Sequence, residues 1–390
     1  MTRNRNGASM TNQDRTNPFF EDWSAPFGVP PFGRIEPGHF HPAFERALAE
    51  HNAEIEAIAA QAEPASFDNT IGAMERGGRL LSRVSSVFDA LCGADTNEAL
   101  QKIEREMSPV LAAHYSRIYL HEALFRRVDA LHLRRDLLGL SAEQARVLAR
   151  YHVAFRRAGA HLGADSKARL AEIAQRLATL GTAFSQNVLA DEQAYTLVLD
   201  TEADLAGLPD FLRDDARAAA EERGMAGKHV ITLSRSSVEP FLQFSARRDL
   251  REKVFKAWIA RGEGGGETDN RAIIAELVAL RAERARLLGF ASFAHFRLDD
   301  SMAKTPEAVR GLLETVWPRA RARAKQERDD LQQLAQREGG NFALAPWDWR
   351  HYAEKLRKQR HDLDEAAIKP YFQLDRMIEA AFDTAHRCSG

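Results

Sequence analysis

The sequence predicts a mainly α fold with one small β insertion. Two observations carry that prediction. Long stretches place apolar residues three or four apart, the spacing that lays one stripe along a helix. Only two stretches, AYTLVLD (residues 194–200) and HVITL (229–233), are short and rich enough in β-branched residues to be strands. With 390 residues and 44% hydrophobic content the chain is long enough to bury a substantial core and to form more than one domain.

Taken in order, residues 1–16 are polar and are expected to be disordered, and NPFFEDWSAPFGVPPFGRIEP (17–37) alternates aromatics with prolines. Proline removes backbone donors and fixes φ, so this segment is expected to be an extended arm. Helix begins near His41. The helix opened by Ser141, with Gln144 three residues on, has the capping-box arrangement, and Val147, Leu148, Tyr151 and Phe155 form its inner face. The plainest helix is DSKARLAEIAQRLATLGTAFSQNVL (165–189), with a stripe of Leu170, Ile173, Leu177, Leu180, Phe184 and Val188. Between the two strands, PDFLRDDARAAAEERG reads as a helix stopped at Gly224. Helices then resume with SARRDLREKVFKAWIARG, whose Leu250, Val254 and Trp258 share a face, and DNRAIIAELVALRAERARLLG, stopped at Gly289. Thr305-Pro306-Glu307 starts another: a capping hydroxyl, a proline at the first helical position and an acid in the first turn. PWDWRHYAEKLRKQR and DEAAIKPYFQLDRMIEAAFDTAHRCSG supply a final pair.

Composition excludes several classes. The 54 basic and 56 acidic side chains leave a formal net charge of −2 and are interleaved, which argues against a generic polyanion binder. Cys92 and Cys388 stand far apart with no redox or metal motif near either. The polar N-terminus lacks the apolar core of a secretory signal, and no apolar run reaches membrane-spanning length. The expected location is therefore the cytoplasm.

VPPFGRIEPGHFHPAFE, FSQNVL, SARRDLREKVFKAW, GGETDNRAIIAELVALRAERARLLGF, SMAKTPEAV, PWDWRHYAEKLR and IKPYFQLDRMIEAAF, in this order, resemble the thimet oligopeptidase and peptidyl-dipeptidase family of zinc metallopeptidases, with the peptidyl-dipeptidase branch nearest. The resemblance runs from Asn17 to about Phe382. It implies an elongated, neurolysin-like helical lobe, the beginning of a second lobe, and a channel admitting short unstructured peptides. In that family two histidines of an HExxH helix hold zinc, the glutamate between them is the general base, and a downstream glutamate completes the shell.

This sequence has no HExxH. Its one His-Glu pair, His121-Glu122, begins HEALF, where Phe125 takes the second histidine's place and cannot ligate zinc. The zinc helix of the family follows the segment matching IKPYFQLDRMIEAAF, so the chain is expected to be truncated before it. No catalytic, cofactor-binding or metal-ligating residue is carried over.

Other constellations read as structural. His39 and His41 lack a third ligand. His351 and His361, with Glu354, Asp362 and Asp364, are ten residues apart and so face different ways on one helix; a solvated helix–loop boundary is expected. The glycines around Gly264 follow a helix rather than a strand and read as a helix–helix connection, not a phosphate loop. Arg319, Arg321, Arg323, Lys325 and Arg328 wrap around their helix, with Glu327, Asp329 and Asp330 at hand to pair with them.

The domains expected are a disordered tail (1–16), an N-terminal helical domain carrying the β insertion (17–235) and the start of a peptidase domain (236–390). The family function is zinc-dependent hydrolysis of short peptides, as a peptidyl-dipeptidase or oligopeptidase. This chain alone is expected to be inactive and to hold no zinc. The alternatives are a non-catalytic peptide-binding module, a half that pairs with a separate zinc-bearing half, or a truncated remnant. Neither nucleic acid nor membrane is an expected partner.

Overall fold

The computed structural model describes residues 17–362 and 365–389; the expected disordered tail and Asp364 lie outside them. The described residues are mainly α-helical, with a single two-stranded sheet. They divide into two compact units, one drawn from Met1–Gln186 and Ile273–Lys304, the other from Asn187–Ala272 and Thr305–Gly390.

The first unit is built on three apolar clusters. In the first, Phe40 and Phe44, one turn apart on the helix Phe40–Ala59, meet Phe88 of the helix Arg79–Ala94 with ring centroids 4.9 and 5.5 Å apart. Phe19 of the proline-rich arm is fully buried in the same cluster. The arm is not extended throughout: it folds into four short 3-10 turns, Pro18–Phe20, Pro26–Gly28, Phe32–Arg34 and Pro37–His39. Proline's fixed φ suits the start of such turns, and three of the four open on proline. The second cluster joins Leu124, Val128 and Leu131 of Glu122–Leu133 to Leu148 and Phe155 of Ala142–Ala158. The capping box at the start of the latter is formed as expected, Gln144 N–H donating to Ser141 Oγ at 3.2 Å and Ser141 N–H to Gln144 Oε1 at 3.0 Å.

The third cluster joins Ile173 and Leu180 of the long helix Ala164–Ala194 to Leu280 of Arg271–Leu287. Two bidentate pairs fix their register: Arg169 on Glu283 at 2.7 and 2.9 Å, and Arg176 on Glu276 at 2.6 and 2.8 Å. Seven residues forward on one helix correspond to seven backward on the other, so the two run antiparallel. These pairs are half-exposed, so they set register more than stability.

In the second unit, β1 (Leu197–Leu199) and β2 (His229–Ile231) pair antiparallel, Val198 opposite Val230, with the helix Asp210–Glu222 between them in sequence. Leu212, Ala216 and Ala220 of that helix are buried, as are Val230 and Ile231, and Phe241, Leu250 and Val254 come from the next two helices, Arg235–Phe244 and Arg248–Ile259. Gly207 closes the turn after β1 at φ +84°, where an added Cβ would lie 2.5 Å from the Phe244 carbonyl oxygen and 3.0 Å from Ala246 N. Both are backbone atoms that cannot swing aside. Gly207→Ala is therefore expected to lower stability by about 2–3 kcal/mol, read by urea denaturation, because it adds a backbone clash to a left-handed conformation. A loss below about 0.5 kcal/mol would show that the turn relaxes freely.

Thr305 caps the helix Pro306–Arg337 as expected, accepting from Ala308 N–H at 3.2 Å. Only its C-terminal part is buried, where Leu331, Leu334 and Ala335 meet Tyr352 of the helix Trp349–His361. The last helix, Leu374–Ser389, buries none of its residues among the described ones. No helix of the described residues is long and apolar enough to cross a membrane.

Candidate functional site

The residues weighed as ligands from the sequence are dispersed. His39 lies in the last turn before the first helix, its Nδ1 accepting from Glu36 N–H at 3.0 Å, while His41 pairs with Glu106 at 2.7 Å. His121 caps the helix Glu122–Leu133, Nδ1 accepting from Leu124 N–H at 3.2 Å, and Phe125 packs against the second cluster. His351 and His361 do face different ways, yet one expectation fails. His361 is exposed, but His351 is buried rather than at a solvated boundary. It sits in the first turn of Trp349–His361, turned inward and hydrogen-bonded to the Gln243 carbonyl at 3.2 Å. Glu354 pairs with Arg357 at 2.7 Å. Asp362 ends the helix at φ +49°. Among the described residues no three His, Cys, Asp or Glu side chains converge as a metal site would require. The described residues therefore do not fit a zinc ion.

The basic run lies along an exposed stretch of Pro306–Arg337, with Arg323 on Glu327 at 2.9 Å and Arg328 on Asp329 at 2.8 Å, while Asp330 pairs with Arg360. The glycine loop connects Arg248–Ile259 to Arg271–Leu287, and Gly262 N–H donates to the Asp191 carboxylate at 2.7 Å.

Beside His351 stands a densely bonded buried polar group of the second unit. The Asp348 carboxylate is fully buried and accepts from Arg248 at 2.9 and 3.1 Å, from Arg251 at 3.0 Å and from Ala345 N–H at 3.0 Å. Arg251, itself 2% exposed, also donates to the Ser245 carbonyl at 2.7 Å and the Trp347 carbonyl at 3.3 Å. Burial pushes the Asp348 carboxyl up, but its two guanidiniums and the Ala345 amide hold it below the usual carboxylate range. Every bond goes to another part of the same cluster, so the network ties the helix Arg248–Ile259 to Trp349–His361 and presents nothing to a substrate.

Ligand-sized space lies in the first unit. A groove of about 590 Å³ runs between the antiparallel helices Ala164–Ala194 and Arg271–Leu287. Its walls are Leu177, Phe184, Ile274, Leu277 and Val278, and its floor opens at Gly181, where an added Cβ would meet nothing within 4 Å. At one end Arg281, Arg284 and Phe293 are shared with a second, more polar cavity of about 600 Å³ that Arg150, Arg157 and Phe296 also border. Arg157 and Arg150 are neutralised by Asp299 and Asp300, at 3.1 and 2.5 Å. Arg281 and Arg284 pair with no carboxylate among the described residues and rest on rings instead, 5.4 Å over Phe293 and 5.0 Å over Phe296. Burial first, and Arg157 second, pull the Arg284 guanidinium below its ordinary value.

The sequence pointed to none of this groove. Ile274, Val278 and Arg281 are spaced for one helix face, the signal that was available, but the same helix also carries a buried stripe, and the partner wall comes from about a hundred residues earlier.

In the second unit, apolar side chains remain uncovered. Leu312, Leu313, Val316 and Trp317 are exposed on Pro306–Arg337, and Leu374, Met377, Ile378 and Phe382 on Leu374–Ser389. Spacing of three or four in the latter set makes one apolar stripe on an amphipathic helix.

Residues 241–388 match Peptidase family M3. The chain is 40% identical over 375 residues to dipeptidyl carboxypeptidase of Escherichia coli, covering 96% of this chain and 55% of that protein. It is 30% identical to oligopeptidase A of Salmonella typhimurium, with the same coverage, and 28% identical to the probable cytosolic oligopeptidase A of Arabidopsis thaliana, covering 54% of that protein. The resemblance read from the sequence segments is borne out, as a likeness to the N-terminal part of these proteins. The chain spans about half the length of the curated relatives it matches.

Proposed function

We propose that this chain is the helical portion of a peptidase acting on short peptides, in the manner of a dipeptidyl carboxypeptidase or oligopeptidase. In this reading the zinc-bearing portion lies outside these 390 residues, and a cytoplasmic location goes with it. The observation that carries the reading is the uncovered stripe Leu374, Met377, Ile378 and Phe382, at the end of the segment that matches Peptidase family M3. A stripe of that kind on a helix with no buried residue favours a further layer of protein over it. The sequence contains no HExxH, so the chain by itself is proposed to be without hydrolytic activity.

The test mixes the purified chain with a separately produced polypeptide comprising the remainder of the E. coli dipeptidyl carboxypeptidase. A short peptide is then followed by mass spectrometry. Hydrolysis by the mixture that EDTA abolishes, with none from either part alone, is the expected result. EDTA-sensitive cleavage by the chain alone would refute its inactivity, and two parts that neither associate nor cleave would refute the pairing. Met377→Asp is expected to weaken the association at least tenfold, since it sets a charge in an apolar contact.

A further inference from the structure

We propose that the groove over Gly181 is a binding site for an alkyl carboxylate, with the hydrocarbon chain between the two antiparallel helices and the carboxylate at Arg281 and Arg284. Such a site needs neither zinc nor a further portion of chain, so it stands apart from the peptidase reading.

Shape and chemistry agree on this class. A volume of about 590 Å³ lies within the range of small-molecule sites, and the walls are aliphatic and aromatic along their length. Both walls are helices, whose backbone N–H and C=O groups are already bonded internally. No strand edge is present to receive a peptide's amides, so a peptide main chain entering here would lose its water without replacement partners. A hydrocarbon chain carries no such cost. The polar lining is confined to Ser185 and the two arginines at the end the groove shares with the second cavity.

The charge is equally specific. Of the five arginines that line the groove's end and the second cavity, Arg150 and Arg157 are matched by Asp300 and Asp299, and Arg297 borders the second cavity but not the groove. Arg281 and Arg284 lie three residues apart on one helix, stand over Phe293 and Phe296, and leave their donors unspent on any described carboxylate. Planar forks of this kind suit a carboxylate, and the attraction of an anion there would offset both the cost of burial and the Arg157 repulsion that Arg284 experiences.

The experiment is calorimetric titration of the whole chain with octanoate below its micellar concentration. Octylammonium, acetate and leucyl-leucine are titrated in parallel. One octanoate per chain is expected, with a rise in Tm; octylammonium lacks the anion, acetate lacks the tail, and neither is expected to bind. Gly181→Trp, which grows into open space, is expected to abolish binding. Arg281→Met together with Arg284→Met is expected to weaken it tenfold or more. If that double variant fails to fold by circular dichroism, Val278→Asp at the exposed rim serves instead, with the same expected direction. Equal binding of octylammonium and octanoate, tighter binding of leucyl-leucine, or full affinity in Gly181→Trp would each overturn the assignment.

Discussion

Asp348→Ala is expected to destabilise the second unit by about 3–5 kcal/mol, the range for removing one partner of a buried ion pair. The cost is large because of what remains behind. Arg251 would keep its charge at 2% exposure with only two carbonyls to donate to, and Arg248 would lose three of its contacts at once. Ala345 N–H would lose its acceptor as well. Asp348→Asn keeps an acceptor oxygen but not the charge, so an intermediate loss is expected. Urea denaturation followed by tryptophan fluorescence reads this locally, since Trp347 and Trp349 flank the site. Arg323→Ala, which opens an exposed i, i+4 pair, is the internal control and should cost less than about 1 kcal/mol. Similar losses in the two variants would mean that water reaches the Asp348 cluster.

Much of the architecture was legible because it depends on local rules. Apolar spacing, the Ser141 and Thr305 caps, and the two β-branched stretches each act within a few residues, and the corresponding elements appear with ends shifted by a few positions. The long helix runs on to Ala194, past the expected stop at Leu189, because no proline or glycine interrupts it there. What stayed illegible depends on partners distant in sequence. His351 read as part of a solvated helix–loop boundary because its spacing from His361 turns the two rings to different faces, yet its side chain turns toward Gln243, more than a hundred residues away. Nothing in the local sequence pattern by itself singles out Arg251 as buried. One hint was present: Arg251 lies three residues before Val254, on the edge of the stripe that points inward. Pairing with Asp348 is what makes a guanidinium tolerable there.

Acid should weaken the same unit through His351, over a window distinct from that of Asp348. Burial, then the nearby Arg251 and Lys355, bring the His351 imidazole down to about 4; the Gln243 carbonyl and Asp348 oppose this but do not reverse it. The neutral ring, donating Nδ1–H to Gln243, is therefore the native form. In the unfolded chain the imidazole returns to about 6.5, so below that pH the unfolded state takes up a proton that the folded state refuses. Its contribution to stability is complete above about pH 6.5 and is lost progressively as the pH falls toward 4, with about 2 kcal/mol gone by about pH 5. Asp348, held below its usual range, loses its contribution only at still lower pH. His114 in the first unit shifts the same way, to about 4, through burial, His51 and Arg117, and adds acid sensitivity there. His351→Gln retains a donor for the Gln243 carbonyl but cannot titrate. Between pH 7 and about pH 5, the tryptophan-monitored stability of the wild-type chain should fall by about 2 kcal/mol more than that of His351→Gln. Parallel pH profiles for the two would mean that His351 protonates in place, and that the buried contact with Gln243 is open to water.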